Sequence, residues 1–191
     1  FESVNDTDYV IELESKKIMA LAEEENKKKL KLVILTCVWK RPRLTEIVLS
    51  YYSRLREEMR DVLDLELVAV GSEGKLSKDI CEACRFHYHE HENQPMSEKW
   101  QYGLKMTQEF NPDAVIIMGS DDLITREILE FYVEKIEQGH LLVGIKDFFI
   151  YESSLKKLAH WRGYGELNDA HRVDETIGLG RCLTRPLLDK I

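Results

Sequence analysis

The sequence predicts an α/β fold: a mixed, mainly parallel sheet flanked by helices, with an N-terminal helical extension. Three observations predict it. Short apolar runs rich in β-branched residues, Leu32 to Val38, Leu65 to Val70 and Asp113 to Met118, alternate with stretches of helical spacing. Such alternation means parallel strands joined by right-handed crossovers. The chain has 191 residues, 43% of them hydrophobic, which suits one core with or without an appendage. Past Gly139 the texture shifts to aromatic-rich strands, which extends the sheet in a mixed or antiparallel way.

Taken in order, Asp6 to Lys29 lacks Pro and Gly and sets Val10, Leu13, Lys17, Ala20 and Leu21 near one stripe. This predicts an amphipathic helix capped at Asp6 or Thr7. Residues 1–30 are then an extension that lies on the domain, pairs with another subunit or tethers a neighbouring domain. Leu32 to Val38 is the first strand. Lys40-Arg41-Pro42-Arg43 breaks it, and Leu44, Ile47, Val48, Tyr51, Leu55 and Met59 recur at helical spacing as far as Arg60. Leu65 to Val70 is the second strand and ends at Gly71-Ser72-Glu73-Gly74. Ser77 to Cys84 predicts a short helix, Arg85 to His91 an alternating strand, and Met96 to Phe110 a helix capped near Ser97. Asp113 to Met118 is a buried strand, Gly119-Ser120-Asp121-Asp122 a loop, and Thr125 to Gln138 a helix stopped by Gly139. One domain over 31–191 is expected, with halves 31–139 and 140–191. In the second half Leu141 to Tyr151 and Lys157 to Trp161 read as strands, and a helix starts at Thr184. Phe1 is not Met and Ile191 follows soon after that helix start, so the chain reads as cut or processed.

Charge and length exclude several classes of function. With 27 Lys and Arg against 35 Asp and Glu, the net charge of −8 argues against a general affinity for nucleic acid or anionic lipid. The longest apolar run, Ala114 to Met118, falls far short of the roughly 20 residues that a bilayer crossing takes. Cys37, Cys81, Cys84 and Cys182 are too few to staple a scaffold, which makes a reducing cytoplasm the expected location. A phosphate ligand would be held here by a few placed groups or a metal.

Ligands of open α/β sheets bind beyond the carboxyl ends of the strands. That edge should gather 36–41, 71–74, 92–99 and 119–122. No G-x-G-x-x-G follows the first strand, and no G-x-x-x-x-G-K-[ST] occurs anywhere. The fourth loop instead presents Asp121 and Asp122 directly after an apolar strand. Two adjacent acids there suit a hard cation, Mn²⁺ or Mg²⁺, completed by water and phosphate oxygens. Equally, they would favour the dipole of the helix that follows.

The first strand closed by Lys40-Arg41-Pro42, the segment Asn93-Gln94-Pro95-Met96-Ser97-Glu98-Lys99-Trp100 before a helix, Ser120-Asp121-Asp122 as a variant D-x-D, and Gly178-Leu179-Gly180-Arg181-Cys182-Leu183-Thr184-Arg185-Pro186-Leu187-Leu188 together resemble GT-A glycosyltransferases of the family 2-like group, over about Leu32 to Ile191. The resemblance implies a GT-A, Rossmann-like sheet and a metal-dependent transfer of sugar from a UDP- or GDP-type donor to a sugar or glycan acceptor. It places Thr36, Val38 and Arg41 against the nucleoside and its phosphates, Ser72 and Glu73 near the base, and Asn93 and Lys99 in the nucleotide pocket. Members often carry an Asp where Ser72-Glu73 stands. Asp122 would be the metal ligand, Asp121 its assistant, and Ser120 would replace a ribose-contacting acid. A leaving diphosphate would be stabilised by the cation with Lys99 or Arg41. An inverting transfer also needs a carboxylate base; Asp147, Glu166, Asp169, Asp174 and Glu175 are candidates, with Asp174 chosen, and the family's base usually falls downstream of the segment resembling Gly178 to Arg185.

Other constellations compete for the site. Cys81-x2-Cys84-x2-His87-x-His89-x-His91 offers zinc-ligand types, or else two buried thiols beside a half-exposed strand, since alternate His share one strand face. Phe148, Phe149, Tyr151, Trp161 and Tyr164 form either an acceptor platform or core; Trp161 and Tyr164, beside Arg162 and Gly163, are the acceptor choices. His160 or His171 would add to a metal shell or simply sit at the surface. A nucleotidyltransferase on a similar sheet and a non-catalytic nucleotide-sugar-binding scaffold are the alternative functions.

Overall fold

A computed structural model describes residues 28–165, 170–173 and 175–190. The expected helix from Asp6 falls almost wholly outside the described residues, and Lys28 to Leu30 are not helical. Glu166, Asp169 and Asp174 also lie outside them.

Five strands and four helices alternate: β1 (Lys31–Cys37), α1 (Pro42–Met59), β2 (Asp64–Gly71), α2 (Lys75–Ala83), β3 (His87–Glu90), α3 (Met96–Thr107), β4 (Ala114–Met118), α4 (Arg126–Glu137) and β5 (Leu142–Val143). The hairpin β6 (Phe148–Glu152) and β7 (Lys157–Trp161) follows, then β8 (Arg181–Thr184) and the short α5 (Arg185–Leu188). The main sheet has the order β3-β2-β1-β4-β8-β5, while β6 and β7 pair separately. Parallel pairing joins β1 to β2, β1 to β4 and β2 to β3; β8 is antiparallel to both β4 and β5. The result is the α/β, mixed and mainly parallel sheet that the alternation predicted.

β1 is buried on both faces, which is why it reads as an unbroken apolar run. Leu32 and Ile34 face a cluster with Leu49, Tyr52, Leu67, Ile116 and Tyr132, whereas Val33 and Leu35 face Val68, Val70, Val115 and Leu188. Pro42 at the start of α1 supplies the fixed φ that a first helical turn needs. Gly139, at φ 83, ends α4 as predicted: its N–H donates to Ile136 O and that of His140 to Lys135 O, the paired bonds of a left-handed helix stop.

Several boundaries differ from the expected ones. The run from Leu141 to Tyr151 is two strands in two sheets. Gly144 interrupts it where the backbone passes so near Thr176 that an added Cβ would lie 2.8 Å from the Thr176 Cβ. α3 begins at Met96 after Pro95, one residue before Ser97, and stops at Thr107; a 3₁₀ turn over Gln108–Phe110 completes the expected length. β3 is shorter than Arg85 to His91 because Arg85, at φ 59, is spent turning the chain out of α2.

All four cysteines are free and buried. Burial pushes the thiols of Cys37, Cys81 and Cys182 up to about 12. Cys84 Sγ lies 3.4 Å from Ser50 Oγ. His87 pairs with Glu66 at 3.2 Å and packs on Phe110, while His91 packs on Tyr102. These thiols and imidazoles thus face different neighbours, and among the described residues no group of three or more His, Cys, Asp or Glu is placed to hold a metal. No described helix is long and apolar enough to cross a membrane.

Candidate functional site

The chain lays β1, β2 and β3 outward in one direction and then returns to place β4 on the other side of β1. The strand order therefore reverses between β1 and β4, and the crevice at their carboxyl ends is where a sheet of this kind takes a ligand. Thr36 of β1 registers with Met118 of β4 at that point. The loops of residues 38–41 and 119–122 meet directly above it.

Two successive non-glycine residues, Lys40 and Arg41, adopt left-handed conformations with φ of 55 and 51. This costs energy at each residue and is kept only where surroundings enforce it. Glu73 does so from the β2 loop: its Oε2 accepts the backbone N–H of Lys40 at 2.6 Å. The turn carries the Arg41 guanidinium across the crevice, where Nη1 donates to Asp121 Oδ2 and Nη2 to Ser120 Oγ, both at 2.8 Å. Arg41, Ser120 and Asp121 are thus brought together, with Arg41 and Asp121 half exposed.

Asp122 sits behind them. Its carboxylate folds back over Gly119, where an added Cβ would collide with Asp122 Oδ2. Two α1 tyrosines hold the loop from below: Tyr52 donates to Asp122 O at 2.9 Å and accepts the Ile124 N–H, while Tyr51 donates to Ile124 O at 2.7 Å. Burial and the neighbouring Asp121 charge raise the Asp122 carboxyl above the ordinary carboxylate range, against smaller opposing effects of the Gly119 backbone and Arg41.

On the β2–β3 side the central group is Lys99. It is fully buried, and its ammonium donates to Val38 O at 2.8 Å, Ser72 Oγ at 2.7 Å and Asn93 Oδ1 at 3.2 Å. An ammonium has three N–H donors, and these three acceptors use them all. Lys99 therefore ties three loops together at the edge where the sequence places it, with Asn93, in the nucleotide pocket. Burial lowers its pKa. Val38 likewise contributes backbone alone, since its side chain is core. Ser72 passes its own hydroxyl to His91 O at 2.7 Å, and Glu73 is taken up by Lys40 and Ser77. Thr36 Oγ1 and Asn93 Nδ2 are the buried side-chain polar atoms without a partner among the described residues. Both lie at this edge, where a ligand would supply what they lack.

A cleft of about 350 Å³ opens beside Asp122, lined also by Phe148, Trp161, Tyr164, Ile177, Gly178 and Leu179. Trp161 stacks edge-on to Tyr164 at 5.1 Å and packs on Phe148 at 5.2 Å. The two predicted acceptor aromatics thus share a cavity with the predicted metal ligand. Strand parity separates Phe148 from Phe149: the register pairs Phe148 with Trp161 and Phe149 with His160, so Phe149 faces the other way and is 63% exposed. His160 accompanies it, stacked on Phe149 at 4.5 Å and 2.8 Å from Asp147. Glu175 is held by Arg172 at 2.9 Å. A larger cavity of about 820 Å³ lies at the opposite edge, among Lys31, Asp64 and Asp113, where β1, β2 and β4 begin.

The site would offer a cation two adjacent carboxylates, with that of Asp122 raised by burial first and by the Asp121 charge second. That donor set fits a hard divalent ion whose remaining positions would go to water and to ligand phosphate oxygens.

No family model matches the chain, and no curated protein matches its sequence. Solved structures do. TarS 1-349 of S. aureus is 17% identical with a TM-score of 0.55, over 84% of this chain and 49% of that one, so the match spans about half of TarS 1-349. A CMP:2-keto-3-deoxy-manno-octonic acid synthetase complexed with CTP is 10% identical with a TM-score of 0.52, covering 84% of this chain and 76% of the synthetase. The 4-diphosphocytidyl-2C-methyl-D-erythritol synthase of Anaerococcus prevotii is 15% identical with a TM-score of 0.51, over 85% and 76%. At these identities the likeness shows the fold alone, a mixed and mainly parallel sheet flanked by helices.

Proposed function

We propose that the domain binds a nucleoside diphosphate sugar of the UDP or GDP type across the β1–β4 crevice and transfers its sugar to a sugar or glycan acceptor. One observation carries this reading: Asp122 borders the crevice beside Asp121 and Arg41 and also lines the cleft of Phe148, Trp161 and Tyr164. A nucleotide at the strand ends would place its diphosphate over the acids and its sugar toward the rings. Mn²⁺ or Mg²⁺, held by Asp122 with Asp121, would neutralise charge that builds on the departing diphosphate. Arg41 presents a planar fork suited to a phosphate. Trp161 and Tyr164 offer apolar faces on which an acceptor sugar packs, with water excluded. Asp174 remains the choice for a base within the sequence.

Nucleotidyl transfer is the second reading, favoured by the larger share of the two synthetases that the match covers. One assay separates them. With Mn²⁺ and a panel of UDP- and GDP-sugars, sugar transfer predicts slow release of nucleoside diphosphate even without acceptor, as sugar leaks to water. Release of pyrophosphate from CTP in the presence of a sugar acid contradicts sugar transfer. Binding without either release identifies a scaffold.

A further inference from the structure

Two cations stand at the carboxyl edge of the sheet, and their situations are opposite. Lys99 is buried, and its three donors are engaged by Val38 O, Ser72 Oγ and Asn93 Oδ1. Arg41 lies at the surface, and its fork bonds Ser120 and Asp121, both in the loop that would meet a ligand. Half-exposed ion pairs of this kind are weak and exchange readily. The backbone beneath is fixed, by Pro42 on one side and the Lys40–Glu73 bond on the other. The side chain can therefore swing while its root stays above the crevice.

The charge arrangement gives the pairing a purpose. Asp121 and Asp122 are consecutive carboxylates in one tight loop, and with nothing bound they repel each other. Arg41 places a positive charge at 2.8 Å from Asp121 Oδ2, on the open side of the pair. We infer that Arg41 is a displaceable internal counter-ion: without ligand it occupies the cation's place beside Asp121, and it passes to the ligand's phosphates when a divalent metal and a diphosphate arrive together. The first half of this concerns the metal alone; the second rests on the reading given under Proposed function. A metal ion arriving by itself must displace Arg41 with nothing to receive the guanidinium. A metal arriving with a diphosphate supplies that receiver. Metal and nucleotide are then coupled, each raising the other's affinity.

Electron paramagnetic resonance of free Mn²⁺ tests this, with Mn²⁺ titrated into the parent and Arg41→Gln without nucleotide. Arg41→Gln is expected to bind Mn²⁺ about five- to tenfold more tightly at low salt, a gap that narrows as ionic strength rises. Adding Asp122→Asn to the variant should remove the binding. Equal or weaker Mn²⁺ binding by Arg41→Gln, or no measurable binding by it, overturns the inference. UDP and GDP titrated into the same samples read the second half: Arg41→Gln should lose most of the gain that nucleotide gives the parent, and an unchanged gain overturns the exchange. If neither nucleotide binds the parent with Mn²⁺, the proposed function fails, while the Mn²⁺-alone comparison still decides the counter-ion.

Discussion

Asp122→Asn is expected to lower sugar transfer by about 10²- to 10³-fold, the scale on which single charge-stabilising groups act, and to melt no lower than the parent. The two results belong together. The Asp122 carboxyl is raised by burial and by Asp121, so its folded pKa stands above its unfolded one. A carboxyl raised in this way binds its proton more tightly in the folded state. Its effect on stability is thus unfavourable when ionised and disappears on protonation: stability falls as pH climbs from the ordinary carboxylate range through the raised value. The amide carries no charge, keeps an acceptor for the Gly119 backbone and fits the same space above that glycine. The parent and Asp122→Asn should therefore differ most in melting temperature near neutral pH and converge in acid, with the variant the higher. A variant that melts well below the parent at pH 7 would make Asp122 a structural residue, and the site would need another centre.

Lys99→Met is expected to destabilise the protein by about 2–4 kcal/mol and to end nucleotide binding. Methionine fills the volume but withdraws three charge-assisted hydrogen bonds from Val38 O, Ser72 Oγ and Asn93 Oδ1. Such bonds contribute roughly 1.5–3 kcal/mol each, and relief from burying an ammonium offsets part of the loss. Asn93 suffers most, because its Nδ2 already lacks a partner and its carbonyl would then lack one too. For a domain of this size the loss corresponds to a melting temperature lower by about 5–15 °C. Differential scanning calorimetry checks it. Unchanged melting would mean the three loops hold themselves in place without the ammonium.

Lys99 also illustrates what the sequence could and could not disclose. The strands and helices were legible because burial on both faces of β1 leaves an unbroken apolar run, burial of one face of α1 leaves a periodic pattern, and Gly139 and Pro42 act on their own neighbours. The carboxyl edge was legible as a place, since strand order alone sets where the reversal lies. What each side chain does there was not. Lys99 meets Val38 from 61 residues away, and Arg41 meets Asp121 from 80. No local pattern records those meetings, so the acceptors that hold Lys99 and Arg41 could not be read from their neighbours in sequence. Phe148 and Phe149 are adjacent and chemically identical; their opposite fates follow from a strand parity set by the break at Gly144. That break depends on Thr176, across the domain. The left-handed pair Lys40–Arg41 gave no glycine to announce it, because Glu73 rather than residue type enforces the turn.

The central claim is that the β1–β4 crevice binds a nucleoside diphosphate together with a divalent cation. Isothermal titration calorimetry of the parent with UDP and with GDP, each with and without Mn²⁺, tests it most directly. One nucleotide is expected to bind in a manner that depends on Mn²⁺ and is lost in Asp122→Asn. Binding of neither nucleotide with Mn²⁺ present, or binding indifferent to both Mn²⁺ and Asp122, would contradict it.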